Sequence, residues 1–347
     1  MTIDRRDPQP RTILVTGGCG FIGSHLCAAL AAGGDRLRVL DDLSTGRVGN
    51  LPAGAELLRG DVADPALLAE AMAGVDGCFH LAAIASVEKG VRDWLGTHRA
   101  NLTGSIAVFD AARAEAAQAG RPVPVVYASS AAVYGDATAL PIEETTPPRP
   151  LSAYGADKLG SELHARVAGV VHGVPTAGMR FFNVFGPRQD PASPYSGVIS
   201  IFCDRIRRGE PVRIYGDGAQ TRDFIFVADV VAALLAALPI AACDAPVFNV
   251  CRGVACTVRE LAQEVALLCD QPLRTSQEPA RQGEIRHSRG SPGLARASMP
   301  LGPSTPLREG LRQVLDWMDQ EMPVAPAAAV LPPVPVRTAR DAKPPAR

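Results

Sequence analysis

The chain has 347 residues, of which 47% are hydrophobic and 20% charged, and its formal net charge is −1 at pH 7. This length suits two domains, or one large domain with a subdomain, and the composition is that of a globular protein. The near-neutral charge argues against a nucleic-acid partner. No apolar run reaches the roughly 18 residues of a membrane span, and the polar first ten residues lack a signal peptide's apolar core, so no membrane association is expected.

The sequence contains eight cysteines, which form no C-x-x-C pair and mostly stand within apolar strand or helix patterns. Such cysteines are typical of buried, reduced thiols. Disulfides are rare in reducing compartments. We therefore expect a cytoplasmic protein without a metal site.

Short β-branched runs alternate with longer helical stretches from Thr12 to about Asn183. The predicted strands are Thr12–Thr16, Leu37–Leu40, Glu56–Arg59, Gly77–Leu81, Pro124–Ala128 and Thr176–Phe181. The predicted helices are Phe21–Ala32, Pro65–Met72, Arg99–Ala119 and Ala153–His172. Apolar strands that alternate with helices indicate an α/β fold, a Rossmann-type doubly wound parallel sheet covered on both faces.

The pattern becomes less regular after Asn183, where glycine, proline and serine are frequent. Short strands are predicted within 212–218, 223–227 and 247–251, and helices over Asp229–Leu238, Val258–Cys269 and Leu307–Met318. We expect a smaller mixed α/β substrate-binding region over 184–320, packed on a Rossmann domain of 11–183 to which segments of about 212–250 return. Residues 1–10 and the Pro/Ala-rich 321–347 are predicted to be disordered.

Three glycines stand between the first predicted strand and the first predicted helix. Gly17, Gly20 and Gly23 fit the pattern T-G-x-x-G-x-x-G. Glycines there let the backbone turn tightly and approach a diphosphate, which the helix N-terminus attracts through its free N–H groups and dipole. The pattern therefore predicts a dinucleotide-binding loop.

The second predicted strand ends in Asp41, 18 residues beyond Gly23. A carboxylate there can bind both hydroxyls of an adenosine ribose and would repel a 2′-phosphate, which favours NAD over NADP. His80 is expected to be structural. The remaining cofactor contacts predicted around the strand ends are Phe21, Ile22, Asp42, Asp61, Val62, Leu81, Ala82 and Ala83.

Candidate catalytic groups follow the fifth predicted strand. Ser129 and Ser130 stand at its carboxyl end, where ligands bind in open α/β sheets. Tyr154 and Lys158 are four residues apart, so they share one face of a helix. A nearby ammonium and a cationic nicotinamide would favour the phenolate, which gives a general base for an alcohol proton.

In combination, these motifs resemble those of the extended short-chain dehydrogenase/reductase family. The resemblance runs from about Thr12 to Trp317 and is closest to the NAD-dependent nucleotide-sugar epimerases that interconvert UDP-glucose and UDP-galactose. It rests on the segments TGGCGFIGSHL, DDLSTG, GDVAD, HLAA, YASSAAVYG, YGADK, RFFNVFGPRQDP, GDGAQTRDFIFVADV and RQGEIRHS.

The resemblance implies a reaction and roles. Tyr154 would be the base, Ser130 would bind the sugar O4 and relay its proton, and Lys158 would bind the nicotinamide ribose. A hydride would pass from sugar C4 to tightly held NAD and return to the other face. Further cofactor contacts implied are Asn101, Ser129 and Phe181. The substrate contacts implied are Ser86, Ser130, Tyr154, Asn183, Arg222, Arg281 and Ser288.

Ser288 matches the position that gates the sugar C2 substituent in this family, and a serine there leaves room for N-acetylated hexoses. The family commonly forms homodimers through a four-helix bundle, with which the alanine-rich predicted helix is compatible. UDP-, dTDP-, GDP- and ADP-sugars all remain open as substrates, with a UDP-hexose favoured.

Other reactions on this fold remain alternatives. Related dehydratases and decarboxylases carry an additional acid just after the catalytic Ser or Thr, where this chain has Ala131 and Ala132. A reductase that consumes a nicotinamide cofactor is a further alternative. A non-catalytic dinucleotide-binding regulator is an alternative of another class, and retention of the Tyr/Lys pair argues against it.

Overall fold

The computed structural model describes residues 10–85, 87–191, 197–280 and 285–322, so the predicted disorder of 1–9 and 323–347 lies outside the described residues. The strands are β1 Thr12–Thr16, β2 Arg36–Asp41, β3 Glu56–Arg59, β4 Gly77–His80, β5 Val125–Ser130, β6 Thr176–Phe181, β7 Asn183–Phe185, β8 Val212–Tyr215, β9 Thr221–Phe226, β10 Val247–Val250, β11 Ala255–Thr257 and β12 Thr275–Glu278. The α-helices are α1 Phe21–Ala32, α2 Pro65–Met72, α3 Val87–Arg92, α4 Trp94–His98, α5 Gly104–Ala119, α6 Ala153–His172, α7 Val198–Arg207, α8 Val227–Ala237, α9 Val258–Leu268, α10 Gly293–Ser298 and α11 Leu307–Glu321.

Seven parallel strands form the main sheet, in the order β10-β6-β5-β4-β1-β2-β3. The chain runs from β1 outward through β2 and β3, then returns to β4 on the other side of β1. The crossover helices of the two halves therefore diverge at β1 and β4, which leaves a crevice at the carboxyl ends of these strands. The predicted doubly wound α/β fold is confirmed.

Both faces of this sheet are buried, as the apolar strands require. Along β1, Ile13 and Val15 belong to a core with α1 and α8, whereas Leu14 belongs to a core with α2, α5 and α6. All three residues have no exposed surface. Because successive strand residues point to opposite faces, a continuous apolar strand needs a helical layer on each side.

The smaller region has its own core, formed largely by α7, α9 and α11 with β7 and β9. It contains a three-stranded sheet in the order β11-β9-β7 and a two-stranded sheet of β8 and β12. Of the segment expected to return to the main sheet, 212–250, only α8 and β10 do so, because β8 and β9 pair within the small sheets.

Most predicted elements are confirmed, several with the same bounds, such as Phe21–Ala32 and Ala153–His172. The helix predicted to begin at Arg99 starts as a π-helical turn, Arg99–Thr103, and continues as α5. Single π turns of this kind are frequent beside functional sites. Within the described ranges, none of the helices combines the length and apolarity that crossing a bilayer demands.

Candidate active site

A cleft of about 870 Å³ lies along the carboxyl edge of the main sheet. The fold brings to it most of the residues predicted from sequence. These are Gly17, Gly20, Phe21, Ile22, Gly23, Asp41, Asp42, Asp61, Leu81, Ala82, Ala83, Ser129, Ser130, Tyr154, Lys158, Phe181 and Asn183.

The glycine loop forms a cradle that side chains would fill. Gly17 has a φ of +71°, and a Cβ added there would lie 2.7 Å from the Ala82 nitrogen. A Cβ at Gly23 would overlap the Gly17 carbonyl oxygen. Helix α1 begins directly after Gly20, which makes no side-chain cap, so its first N–H groups and positive dipole end remain for an anion. The loop fits the diphosphate of a dinucleotide.

Asp41 holds the loop beside this cradle. Its carboxylate accepts N–H bonds from Cys19 at 2.9 Å and from Leu43 at 2.8 Å. Burial raises the pKa of Asp41, although these two hydrogen bonds act in the opposite direction. A carboxylate has about four acceptor positions, so lone pairs remain for the two hydroxyls of a ribose. Asp42, by contrast, is exposed and accepts the N–H of Ser44 at 2.9 Å.

The catalytic candidates meet where β5 ends against the first turns of α6. The Ser130 hydroxyl accepts the N–H of Ala132 at 3.1 Å and hydrogen-bonds with the Tyr154 side chain. One turn along α6, Lys158 is 2% exposed and its Nζ donates to the Ala128 carbonyl at 2.8 Å. This ammonium lies 5.9 Å from the centre of the Tyr154 ring.

Burial of Tyr154 is an influence that the sequence reasoning did not anticipate. Burial raises the pKa of Tyr154, and the hydrogen bond with Ser130 acts in the opposite direction. Burial also lowers the pKa of Lys158 to about 8, against the raising effect of Asp157. Desolvation of the apolar site therefore disfavours both charged forms, which spacing along a helix does not reveal.

Some predicted residues lie away from the cleft wall. Val62 packs its side chain in the core of α2, α5 and α6. Asn101 is fully buried, and its side chain binds the backbone of Ile84 through N–H and carbonyl bonds of 2.8 and 3.2 Å. It therefore fixes the loop after β4, whose residues Leu81–Ala85 line the cleft.

The residues predicted to bind the substrate differ in how close to the cleft the structure places them. Ser86 and Arg281 lie outside the described residues. Arg222 is half-buried on β9 and donates to the Thr221 carbonyl at 2.8 Å. The backbone N–H of Ser288 donates to the same carbonyl at 3.2 Å, so these two residues are neighbours. Neither lines the cleft itself.

The cleft also contains residues that the sequence reasoning missed. For some of these residues the sequence motifs offered a signal. Ser44 and Thr45 belong to the segment DDLSTG, and residues 188–190 belong to GPRQDP. Lys89 and Arg99 had none, because they come from helices without a recognisable motif. The additional lining residues with polar side chains are Ser44, Thr45, Lys89, Arg99, Arg188, Gln189 and Asp190.

His80 is structural, as predicted. Its ring nitrogens bind the hydroxyls of Thr16 at 2.7 Å and Ser105 at 3.1 Å. The Ser105 hydroxyl in turn donates to the Asn101 carbonyl at 2.6 Å. Burial, with a smaller effect of the Lys158 charge, lowers the pKa of His80 to about 3. The ring is therefore neutral at physiological pH.

This histidine makes the protein sensitive to acid. Unfolded histidine takes up a proton near pH 6.5, whereas folded His80 does so only near pH 3. Between these values the unfolded state binds one more proton, so the free energy of unfolding should fall by about 1.4 kcal/mol per pH unit on acidification. Denaturant titrations of wild type and His80→Gln from pH 7 to 5 measure this. Equal slopes for the two proteins would contradict the prediction.

The described cysteines, which include all eight of the chain, are free thiols, and most are buried. Burial raises the pKa of several, including Cys19 to about 12. No group of three or more potential metal ligands is found among the residues that the structure describes.

Residues 13–251 match the NAD dependent epimerase/dehydratase family. A UDP-glucose 4-epimerase of Mycolicibacterium smegmatis is 36% identical over 312 residues, covering 88% of this chain and 97% of the relative. A Thermus thermophilus UDP-glucose 4-epimerase solved in complex with NAD is 34% identical, with a TM-score of 0.81 over 89% of this chain and 99% of the neighbour. A UDP-N-acetylglucosamine 4-epimerase from Methanobrevibacter ruminantium, in complex with UDP-N-acetylmuramic acid, is 32% identical. Its TM-score is 0.83, and the match covers 90% of this chain and 100% of the neighbour.

These matches span nearly the whole chain, and they agree with the glycine cradle, the Asp41 carboxylate and the Ser/Tyr/Lys group of the cleft. The chain belongs to the NAD-dependent epimerase/dehydratase family.

Proposed function

We propose that the protein is a nucleotide-sugar 4-epimerase that acts on a UDP-hexose with tightly bound NAD. The observation that carries the proposal is the meeting of Ser130, Tyr154 and Lys158 in the cleft that holds the glycine cradle. Relatives named UDP-glucose 4-epimerase match over nearly the whole chain, which supports the C4 position and the uridine nucleotide.

The chain's own residues would move and hold the proton of the sugar O4. NAD, when bound, supplies a hydride acceptor beside that carbon. Tyr154 takes the O4 proton, and Ser130 hydrogen-bonds the same oxygen and fixes its direction. Lys158 remains charged at neutral pH, since its pKa of about 8 lies above pH 7, and its charge favours the phenolate.

The residues after Ser130 favour epimerisation over elimination. Ala131 and Ala132 form the start of a 3-10 helix that follows β5. They occupy the positions at which related dehydratases and decarboxylases carry a second acid. Without such an acid, the loss of water or of a carboxylate would lack its proton donor or acceptor.

The substrate diphosphate would be bound by guanidinium groups. Arg222 on β9 and Arg281 match the family's phosphate-binding arginines, and the fork of a guanidinium suits bidentate phosphate contacts. Asn183 is exposed in the cleft at the start of β7, which supports a role in binding the nucleotide sugar.

The function is tested by NMR of product mixtures after incubation with UDP-, dTDP-, GDP- and ADP-hexoses. We expect inversion at C4 of UDP-glucose or UDP-galactose, with no net consumption of NAD. Stoichiometric accumulation of NADH, or loss of water or carbon dioxide from the sugar, would contradict the proposal. Binding of NAD without any change of sugar would support the regulator instead.

Ser288 is proposed to leave room for an N-acetyl group at the sugar C2. The residue adjoins Thr221, one position before Arg222, so it stands next to a diphosphate ligand. In Ser288→Tyr, we expect kcat/KM for UDP-N-acetylglucosamine to fall by about tenfold or more relative to that for UDP-glucose, because a bulky ring would fill the space. Competing assays with both sugars measure the ratio. An unchanged ratio would remove Ser288 from the specificity pocket.

A homodimer is proposed to form through α5 and α6. Helix α6 carries a stripe of exposed apolar side chains at helical spacing, and Ile106 of α5 lies beside it in the same groove. The stripe is Leu163, Val167, Val170 and Val171, between 47% and 69% exposed. Two helices from each subunit would bury this surface as a four-helix bundle.

Leu163→Asp should therefore convert a dimer into a monomer, because it places a charge in the centre of an apolar interface. Light scattering after size exclusion measures the mass. The exposed Val254, which lies just before β11 and outside α5 and α6, provides the control Val254→Asp, which should leave the mass unchanged. A monomeric wild type would contradict the interface.

The protein is also proposed to be cytoplasmic. Its free, mostly buried thiols are consistent with this location, because disulfides are rare in reducing compartments.

A further inference from the structure

A row of polar residues crosses the main sheet beneath the catalytic serine. The register pairs Ser129 of β5 with Arg180 of β6, and Arg180 with Asn249 of β10. Residues in register on parallel strands point to the same face, so these three side chains lie side by side. All three are at most 5% exposed.

Glu162 of α6 binds two members of this row. Its carboxylate accepts the Ser129 hydroxyl at 2.5 Å and a two-pronged contact from Arg180, at 2.8 Å from Nε and 2.7 Å from Nη2. Both members of this ion pair are buried. A buried ion pair contributes little net stability compared with apolar side chains of the same volume, so its value can lie in fixing a unique geometry.

The row also reaches the segment after Ser130. The third guanidinium nitrogen of Arg180 donates to the Tyr134 hydroxyl at 2.7 Å and to the Glu144 carbonyl at 3.1 Å. Tyr134 in turn donates to Asn249 at 2.6 Å, and its ring lies under the guanidinium at 4.8 Å. Every polar side-chain atom of Glu162 and Arg180 thus has a partner, and a fully satisfied network of this kind is rigid.

Helix α6 meets β5 through three residues spaced one turn apart. Tyr154 contacts Ser130, Lys158 binds the Ala128 carbonyl, and Glu162 binds the Ser129 hydroxyl. The helix is therefore fastened to consecutive residues of one strand end. Sliding of α6 along β5 would break all three contacts together. The Glu162 contact is the one that does not face the cleft, since Glu162 is absent from its lining.

We propose that Glu162, clamped by Arg180, is a positioning residue that sets the register of α6 against β5 and thereby the contact between Ser130 and Tyr154. The inference depends on the proposed function in one respect only, namely the reaction that Ser130 and Tyr154 carry out. Glu162 itself contacts neither cofactor nor substrate.

Ser129→Ala and Glu162→Gln test this in the NAD-loaded enzyme. Ser129→Ala removes one hydroxyl, and Glu162→Gln keeps the shape but weakens the clamp. We expect kcat to fall by about tenfold to a hundredfold, because small misplacements of reacting groups have effects of this size. In Glu162→Gln, KM for the UDP-hexose and the NAD content should stay within about twofold, since Glu162 does not line the cleft.

A second readout needs no turnover. The tyrosinate absorbance of each protein is titrated against pH, and subtraction of the curve of its Tyr154→Phe derivative isolates Tyr154. The hydrogen bond with Ser130 lowers the pKa of Tyr154. Its loss should therefore move the titration of Tyr154 to higher pH in both variants. This readout remains valid if the wild type does not epimerise sugars, so failure of the function and failure of the positioning role can be told apart.

Val265→Ala is the control for lost stability. Val265 is fully buried in the core of the smaller region, remote from the row. It should lower the melting temperature without moving kcat or the Tyr154 titration. Wild-type kcat and an unmoved titration in Ser129→Ala would overturn the proposal. An equal loss of kcat in Val265→Ala at matched stability would also overturn it, because the role would then be structural only.

Discussion

Replacing Tyr154 by phenylalanine is expected to lower kcat by about 10²–10⁴-fold while the protein stays folded and keeps its NAD. The change removes the hydroxyl that takes the sugar proton and leaves the ring in place, and loss of a positioned base has effects of this size. Because the hydroxyl is needed in the transition state more than for binding, KM should change much less than kcat. Steady-state kinetics with a UDP-hexose, together with the NAD content of the purified variant, measure both effects.

The chain contains a matched control for this substitution. Tyr127 lies on β5, three residues before Ser130, and its hydroxyl is buried without a hydrogen-bond partner among the described residues. Tyr127→Phe removes a tyrosine hydroxyl from the strand that carries Ser130. An unpaired buried hydroxyl is unfavourable, so this variant should keep full activity and at least wild-type stability. Activity that survives in Tyr154→Phe, or is lost in Tyr127→Phe, would contradict the assignment of the base.

Replacing Gly23 by alanine is expected to weaken NAD binding by about a hundredfold or more, with a parallel loss of activity. The added methyl group would overlap the Gly17 carbonyl oxygen and come within 2.8 Å of the Gly18 Cα. These are backbone atoms, so the loop itself must move. A displaced loop can no longer present the α1 N-terminus to the diphosphate, which depends on close backbone approach. Equilibrium binding of NAD to protein stripped of cofactor measures the effect.

Gly49 provides the control for this change. It lies in a 3-10 turn, and a Cβ added there meets no atom of the described residues within 4 Å. Gly49→Ala should bind NAD as the wild type does. If Gly23→Ala also bound NAD normally, the glycine cradle would not be the diphosphate site.

The sequence predicts those parts of the site that depend on local spacing. Gly17 and Gly23 stand at a strand–helix junction, and Tyr154 and Lys158 share a helix face, so a short segment suffices to identify each. Parallel strands then bring their carboxyl ends to one edge, which explains why widely separated motifs meet in one cleft.

Features that depend on tertiary packing could not be obtained in this way. The pKa of Tyr154 is governed by desolvation, and the inward direction of the Asn101 side chain depends on the loop after β4. The exposed Val91 and Trp94 of α3 and α4 give no amphipathic pattern, so these helices were missed. The pairing of Glu162 with Arg180 joins a helix to a strand that the helix precedes, and only the sheet register reveals it.

The late return of β10 to the main sheet makes the two regions interdependent during synthesis. About sixty residues of the smaller region separate β6 from β10, and α8 covers one face of the sheet only after β9 has been made. A nascent chain that ends before α8 would leave one face of the sheet covered only in part, by α1, and would leave β6 as an open edge. We therefore expect the cofactor-binding half to complete its fold only when the smaller region, which holds the loops that face the sugar, has also been made.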